Sequence, residues 1–546
     1  MRTSRGIIAG VIACILAAAG AYFWASSLMD SLYAYRSPLR ADPPAPGVSL
    51  GQPQVRRVVF VLIDALRLDT SLNRQVMPVL DHLRSQGAYA TMHSRPPSYS
   101  EPGYSVLLTG AWPDLSDGPA INLDYPKIWT FTQDNLFSAA HRTGLKTAVS
   151  AYYWFERLIP QEDVDAHFYT PGEDRRADRQ VVDAALPWLR SGDFQLVLIH
   201  IDQVDYAGHH EGGPRSPNWD AAASRADALL GEILATLDLS QDVVFVCSDH
   251  GQIDRGGHGG NEPVVLREPF VLAGAHVKAG NYGDVNMADV APTLAALLGA
   301  NLPASAQGQA LTEMLDLPAA YVHSVQEAET VQQRNLIEDY GAAIGRPVDI
   351  PADATSVAAF QQALEAARDA RLNAERLPRA ALALGIVLLM IGILIWRRSR
   401  LLVWMLSGAV VFQLIFHLRY DLLDRLTYSL SWVPDANTMI VYMATTSLIA
   451  LFAGWLVFVL GSRVLRSGAR AAAEATLGFA LVTIVLLSLP VLFSYAWNGA
   501  LITWTLPEFT SSYLGLLGLI QGLAAAVGGI LLAGVAGLIG VVLKTS

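Results

Sequence analysis

VVFVLIDALR, residues 58–67, is an unbroken β-branched and aliphatic run that ends on a carboxylate, Asp64. A strand with one wet face alternates apolar and polar residues; a run with no polar position is buried on both faces, as in a parallel sheet. LVLIHID (196–202) and VVFVCSD (243–249) repeat the pattern, and a further strand is expected at 146–150. Between them lie helical segments, such as 77–86 and 219–237. Strands alternating with helices at this spacing predict an α/β, doubly wound sheet, mixed or wholly parallel. Such sheets bind ligands at the carboxyl ends of their strands. Asp64, Asp205 and Asp249 each fall at or just after a strand end, so they are expected to converge on one edge.

Four motifs then read as one set: VVFVLIDALR, PPSYSEPGYSVLLTG (96–110), LVLIHIDQVDYAGHH (196–210) and VVFVCSDHGQIDRGGHGG (243–260). They contribute Asp64, Ser100, Asp205, His209, Asp249, His250 and His258. Three carboxylates, three imidazoles and one hydroxyl are the donor chemistry of a two-metal phosphoryl-transfer site. Taken singly, each has an ordinary explanation: Asp64 as a helix cap, GGHGG as a flexible loop. Their joint order makes those explanations weak. Asn122, after the TGAWP turn, is a candidate donor to a phosphate oxygen, with loop capping as its other reading. His200, inside a buried strand, reads as a satisfied core histidine, and Cys247 as a small core residue. His210 and Glu211 read as supporting or solvated neighbours of His209.

Composition places this site in a membrane protein. Apolar residues make up 52% of the 546 and charged residues only 16%, and the apolar excess sits at the two ends. Residues 6–24 form one run long enough to cross a bilayer, and 380–396, 401–417, 438–461, 475–497 and 514–543 form five more. The expected organisation is a transmembrane anchor (1–28), a Pro-rich linker (29–56), a catalytic domain (57–315), a helical stalk (316–378) and a C-terminal bundle of about five helices (379–546). No small-x-small site follows the first run cleanly, which favours a retained anchor over a cleaved signal peptide. Arg2 and Arg5, then Arg397, Arg398 and Arg400, then Arg463, Arg466 and Arg470, and finally Lys544, all fall on one side of six spans. The positive-inside rule makes that side cytoplasmic and puts the catalytic domain on the other. RYDLLDRLTYSLSWV (419–433) is expected to lie in the interface as an amphipathic helix. A net charge of −11 argues against a nucleic-acid partner and suits a site for multivalent cations. Two cysteines, one within a membrane run and one within a strand, leave no disulfide to expect.

On these residues the chain resembles the alkaline phosphatase superfamily, within it the type I phosphodiesterase/nucleotide pyrophosphatases and the ethanolamine phosphate transferases of glycosylphosphatidylinositol (GPI) assembly. IDALRLD is similar to the transferases' first metal motif, DYAGHH to their Asp-x-x-Gly-His motif, SDHGQIDRGGHGG to their last, and DVAPTLAALLG to a late core helix. The resemblance implies an alkaline-phosphatase-like fold. It also implies that Asp64, Ser100, Asp249 and His250 hold one metal and Asp205, His209 and His258 the other, with zinc as the expected ion. It implies that Ser100 is the nucleophile, ten residues before Gly110 and two before Pro102, with Ser98 as the fallback. Implied partners are a membrane lipid donor and a lipid or glycan acceptor. The expected activity is transfer of a phosphoethanolamine-like group; hydrolysis of phosphodiesters is the alternative. The compact loops and Arg- and Ala-rich composition favour a bacterial inner membrane with the catalytic domain in the periplasm; an endoplasmic reticulum membrane with the domain in the lumen satisfies the same topology.

Overall fold

A computed structural model describes residues 5–350, 354–396, 400–433 and 435–545. Arg2, Arg397, Arg398 and the Lys544 side chain lie outside the described residues. The chain divides into two compact units, one of residues 33–371 with 503–506, the other of residues 1–32, 372–502 and 507–546.

The first unit is built on an eight-stranded sheet. Its strands are β1 (Arg57–Ile63), β2 (Ala88–His93), β3 (Thr147–Tyr152), β4 (Ala166–Thr170), β5 (Leu196–Ile201), β6 (Asp242–Cys247), β7 (Arg267–Gly274) and β8 (Gly280–Asn286), in the spatial order β4-β3-β5-β1-β6-β7-β2-β8. Seven neighbouring pairs form the sheet, and only β7 runs antiparallel to both its neighbours. The sheet is thus mixed and mostly parallel. β1, β3, β5 and β6 are buried at every position, as their mostly apolar sequences allow once helices cover both faces. One covering layer packs the helices Pro78–Gln86, Arg175–Ser191 and Pro217–Leu234 on Val59, Val61, Ile63, Val197, Ile199, Val244 and Val246.

Register carries the strand ends to a common level. Arg57 pairs with Asp242 in the β1–β6 ladder, and the two side chains form a buried ion pair at 2.9 Å. Removing one partner of such a pair costs about 3–5 kcal/mol, so the alignment of β1 on β6 is strongly specified. Asp64 and Asp249 then leave the same edge side by side. The strands that local pattern does not announce are β2, β4, β7 and β8. β8, GNYGDVN, is a mostly exposed edge strand whose glycines and polar residues give no apolar alternation.

Helices at Arg5–Tyr33, Val357–Trp396, Arg400–Leu423, Ala436–Ser462, Ala469–Asn498 and Phe509–Leu543, six in the described residues, are long and apolar enough to cross a membrane; all lie in the second unit except Tyr33 and residues 357–371. Their close packing uses small residues: a Cβ on Gly408 would lie 2.5 Å from the Gly454 carbonyl oxygen, and one on Gly454 only 2.3 Å from that of Gly408. The expected interfacial helix over 419–433 is not formed. A π-turn, Leu418–Leu423, extends the preceding helix instead, and a short 3-10 turn follows at Leu430–Trp432. The polar residues there satisfy one another locally. The Arg419 guanidinium meets Asp424 at 3.3 Å, and Tyr420 and Tyr513 share a hydroxyl hydrogen bond of 2.9 Å.

Candidate two-metal site

Each of the seven residues is delivered by a local device. Asp64 follows β1, and Ala65 after it takes φ 57°, a left-handed turn that costs a non-glycine residue about 1 kcal/mol. That turn aims the Ala65 N–H at Asp249 Oδ1, 3.2 Å away. Ser100 opens the helix Ser100–Thr109, which is buried along its whole length. Gly103 lets this helix lie against the end of β6, since a Cβ there would sit 2.8 Å from that of Asp249. Asp205 and His209 are four apart on the helix Gln203–His210, hence on one face, with His209 Nε2 3.4 Å from Asp205 Oδ1. His258 stands in the glycine loop after β6.

Two ligand groups emerge. In one, His250 Nε2 lies 3.5 Å from Asp64 Oδ1, 3.4 Å from Asp249 Oδ2 and 3.1 Å from Ser100 Oγ. In the other, His258 Nε2 lies 3.7 Å from Asp205 Oδ1 and 2.9 Å from His209 Nε2. Donor atoms bound tetrahedrally at about 2.0–2.1 Å sit roughly 3.3 Å apart, so both sets have the spacing of ligands around a divalent ion. Asp64 Oδ1 and Asp249 Oδ2 are fully buried and have no hydrogen-bond partner among the described residues, which leaves their lone pairs open to a cation. The histidines agree. His250 Nδ1–H donates to the Gly251 carbonyl at 3.0 Å and His258 Nδ1–H to that of Ser98 at 3.1 Å, which leaves both Nε2 lone pairs facing the site.

Electrostatics point the same way. Burial, then the charge of Asp64, pushes the Asp249 carboxyl well above its ordinary range. Burial and the carboxylates of Asp64, Asp205 and Asp178 do the same to Asp202. Burial and the neighbouring His250 hold His258 well below the usual imidazole value, so it stays neutral, the form that binds metal. Burial alone would raise Asp205, but the His209 imidazole and the hydrogen bond from Gln252 help to hold it low. Crowded carboxylates beside neutral imidazoles are stable when cations occupy the middle.

The seven residues therefore meet, and Asn122 stands beside them. Its Oδ1 accepts the Glu101 N–H at 3.0 Å, which turns its Nδ2 toward Ser100 Oγ, 3.5 Å away. Ser98 is differently employed: its hydroxyl donates to the Gly260 carbonyl at 2.8 Å and accepts from the Gly259 N–H at 3.1 Å, bracing the His258 loop. His200 is more than a core histidine. Its Nε2 lies 3.0 Å from Asp64 Oδ2, which also accepts the Tyr104 hydroxyl, so these two side chains hold the Asp64 carboxylate with Oδ1 facing the ligand group. Gln252 Nε2 donates to Asp205 Oδ1 at 2.5 Å. A buried strand histidine must find a partner, and Tyr104 shares a helix face with Ser100, so both roles had a sequence signal; Gln252 had none. His210 is exposed, and Asp254 pairs with Arg67 and Arg215 instead of entering the site.

Relatives share these segments. Residues 58–331, half of the chain, match the family described as type I phosphodiesterase/nucleotide pyrophosphatase. The catalytic subunit of human GPI ethanolamine phosphate transferase 2 is 27% identical over 304 residues, 50% of this chain and 30% of that protein. The catalytic subunit of human GPI ethanolamine phosphate transferase 3 is 25% identical over 340 residues, 55% and 31% of the two chains. The matched region thus spans about a third of the length of these relatives. Among solved structures, human ectonucleotide pyrophosphatase/phosphodiesterase 5 superposes with a TM-score of 0.37 at 16% identity, over 45% of this chain and 95% of that one. The chain belongs to the type I phosphodiesterase/nucleotide pyrophosphatase family.

Proposed function

We propose that this protein is a membrane phosphotransferase that moves a phosphoethanolamine-like headgroup from a phospholipid to a glycan or lipid hydroxyl through a phosphoseryl intermediate on Ser100. The observation that carries the reading is the convergence of Ser100 Oγ with two metal-ligand groups at the carboxyl edge of the sheet. Asp64, Asp249, His250 and Ser100 would hold one ion, and Asp205, His209 and His258 the other, with zinc favoured by the mixed carboxylate and imidazole donors. Bound there, two divalent ions would favour the ionised Ser100 hydroxyl and offset charge on the phosphate oxygens.

The chain's own groups do the rest. Ser100 Oγ attacks phosphorus, the bond to the diacylglycerol oxygen breaks, and that oxygen leaves with a proton. Asn122 Nδ2 donates to a non-bridging oxygen while the helix N-terminus at Ser100 favours the anion. An acceptor hydroxyl then attacks the phosphoserine, gives up its proton, and Ser100 regains one as its bond to phosphorus breaks. An acceptor held beside the phosphoserine reacts at high effective concentration and outcompetes water.

The six apolar helices, and Arg5, Arg400, Arg463, Arg466 and Arg470 at alternate connections, support a membrane protein whose catalytic domain lies on the non-cytoplasmic side; the Arg- and Ala-rich composition favours a bacterial inner membrane and hence the periplasm. Vesicles containing the full-length protein and headgroup-labelled phosphatidylethanolamine test the reading. Diacylglycerol should appear while label passes to an extractable acceptor from native membranes. Release of free phosphoethanolamine alone, or cleavage of soluble nucleotide diesters without action on phospholipid, makes it a hydrolase of the same family instead.

A further inference from the structure

Asp202 directly follows β5, three residues before Asp205, and is only 6% exposed. Its backbone is fully used: its N–H donates to Asp178 Oδ1 at 2.8 Å, and its carbonyl accepts from the Tyr206 N–H at 3.2 Å. Its carboxylate accepts a hydrogen bond from none of the described residues. One of its oxygens nevertheless lies within 4.8 Å of donor atoms of both Asp64 and His200. Those three residues do not make a third metal site. The His200 Nδ1 accepts the Tyr152 N–H at 3.4 Å, so its proton sits on Nε2 and points at Asp64 Oδ2. No lone pair on that ring is left for an ion.

The neighbourhood is acidic and aromatic. β3 runs beside β5 with Ser150 opposite Ile199, which brings Tyr152 to the same edge as Asp202. The Tyr152 hydroxyl donates to Glu173 Oε1 at 2.6 Å, and Glu173 is close enough to add to the negative field at Asp202. Neither carboxylate forms an ion pair with a described residue. A carboxylate this buried is costly to keep charged unless a cation joins it, and no described residue supplies that cation.

Building on the transferase reading above, we propose that Asp202 binds the ammonium of the transferred phosphoethanolamine, with Tyr152 and Glu173 forming the wall behind it. An ammonium brings three donors and no acceptor, which suits a carboxylate that has none, and an adjacent aromatic ring adds cation–π attraction. The two-carbon bridge between ammonium and phosphate is short. It therefore suits an anchor that lies one donor spacing from Asp64, with the phosphate at Ser100. Asp202 is thus a specificity residue, separating a headgroup with a cationic end from one without.

The test compares two donors in the full-length protein in lipid nanodiscs: phosphatidylethanolamine, and phosphatidylpropanol, which has a methyl in place of the ammonium. The wild type should prefer the first. Asp202→Asn should reduce that preference in kcat/KM by about tenfold or more, as loss of a charge-assisted hydrogen bond predicts. Asp202→Glu should restore part of it, and both variants should keep the wild-type metal content. An undiminished preference in Asp202→Asn overturns the assignment, as does loss of metal, which makes Asp202 a ligand. If the wild type acts on neither lipid but cleaves a soluble diester, the transferase reading itself fails and takes this one with it.

Discussion

His209 and His258 present their Nε2 atoms to each other at 2.9 Å across 49 residues of sequence. The Nδ1 proton of His258 is committed to the Ser98 carbonyl, so its Nε2 bears a lone pair, and Asp205 Oδ1 closes the triangle. Two imidazole nitrogens and a carboxylate oxygen aimed at one point describe a cation's ligands better than a hydrogen-bond network.

Metal content follows from this geometry. Purified protein should carry about two zinc equivalents, and Asp205→Asn or His258→Ala should lose one of them along with activity. Tyr104→Phe and His200→Ala, which release Asp64 Oδ2, should weaken binding at the other ion by about 10–100-fold. Elemental analysis under graded chelator reads both effects. Full activity in metal-free protein contradicts the site.

Two serines two residues apart should behave differently. Ser100→Ala should abolish the covalent phosphoseryl species and reduce turnover to background without changing expression. Ser98→Ala frees the Gly259–Gly260 loop and should cost about 1–2 kcal/mol locally. It should still form the intermediate. Trapping with labelled donor followed by peptide mapping distinguishes them, and label on Ser98 reverses the assignment.

Membrane orientation can be read with reporters. A fusion within residues 464–467 should report cytoplasm and one within residues 500–507 the opposite side. Protease added from the non-cytoplasmic side should cut the sheet-bearing unit. Protection of that unit overturns the orientation drawn from the arginines.

Glu329 provides a pH dependence away from the metals. Burial pushes its carboxyl up to about 7 from the ordinary 4.5, against the single hydrogen bond it accepts from the Ala310 N–H. The folded state therefore holds a proton that the unfolded chain releases. Its contribution is fully present below about pH 4.5 and is lost as pH rises through about 7. Glu329→Gln keeps the acceptor and removes the titration. The melting temperature of the full-length variant should fall less than that of wild type between about pH 5 and about pH 8. Parallel slopes rule the effect out.

Much of this architecture is local enough to be written in the chain. β1 and β5 end where their apolar runs do, because a strand buried on both faces admits a polar residue such as His200 only where a buried partner meets it. Asp64 and Asp249 are legible for the same reason: a carboxylate that ends such a run must leave at the sheet's binding edge. The Asp205–His209 pair follows from helical period alone. Other features depend on which strands become neighbours, and no local periodicity encodes that. The antiparallel β7 and the polar edge strand β8 belong here, as do the meeting of His209 with His258 and the clamp of Tyr104 and His200 on Asp64. Asp202 and Asp205 leave the same strand only three residues apart. Sequence marks both as acidic; only the fold turns one toward the imidazoles and sets the other beside Asp64 and His200, with no hydrogen-bond partner for its carboxylate among the described residues.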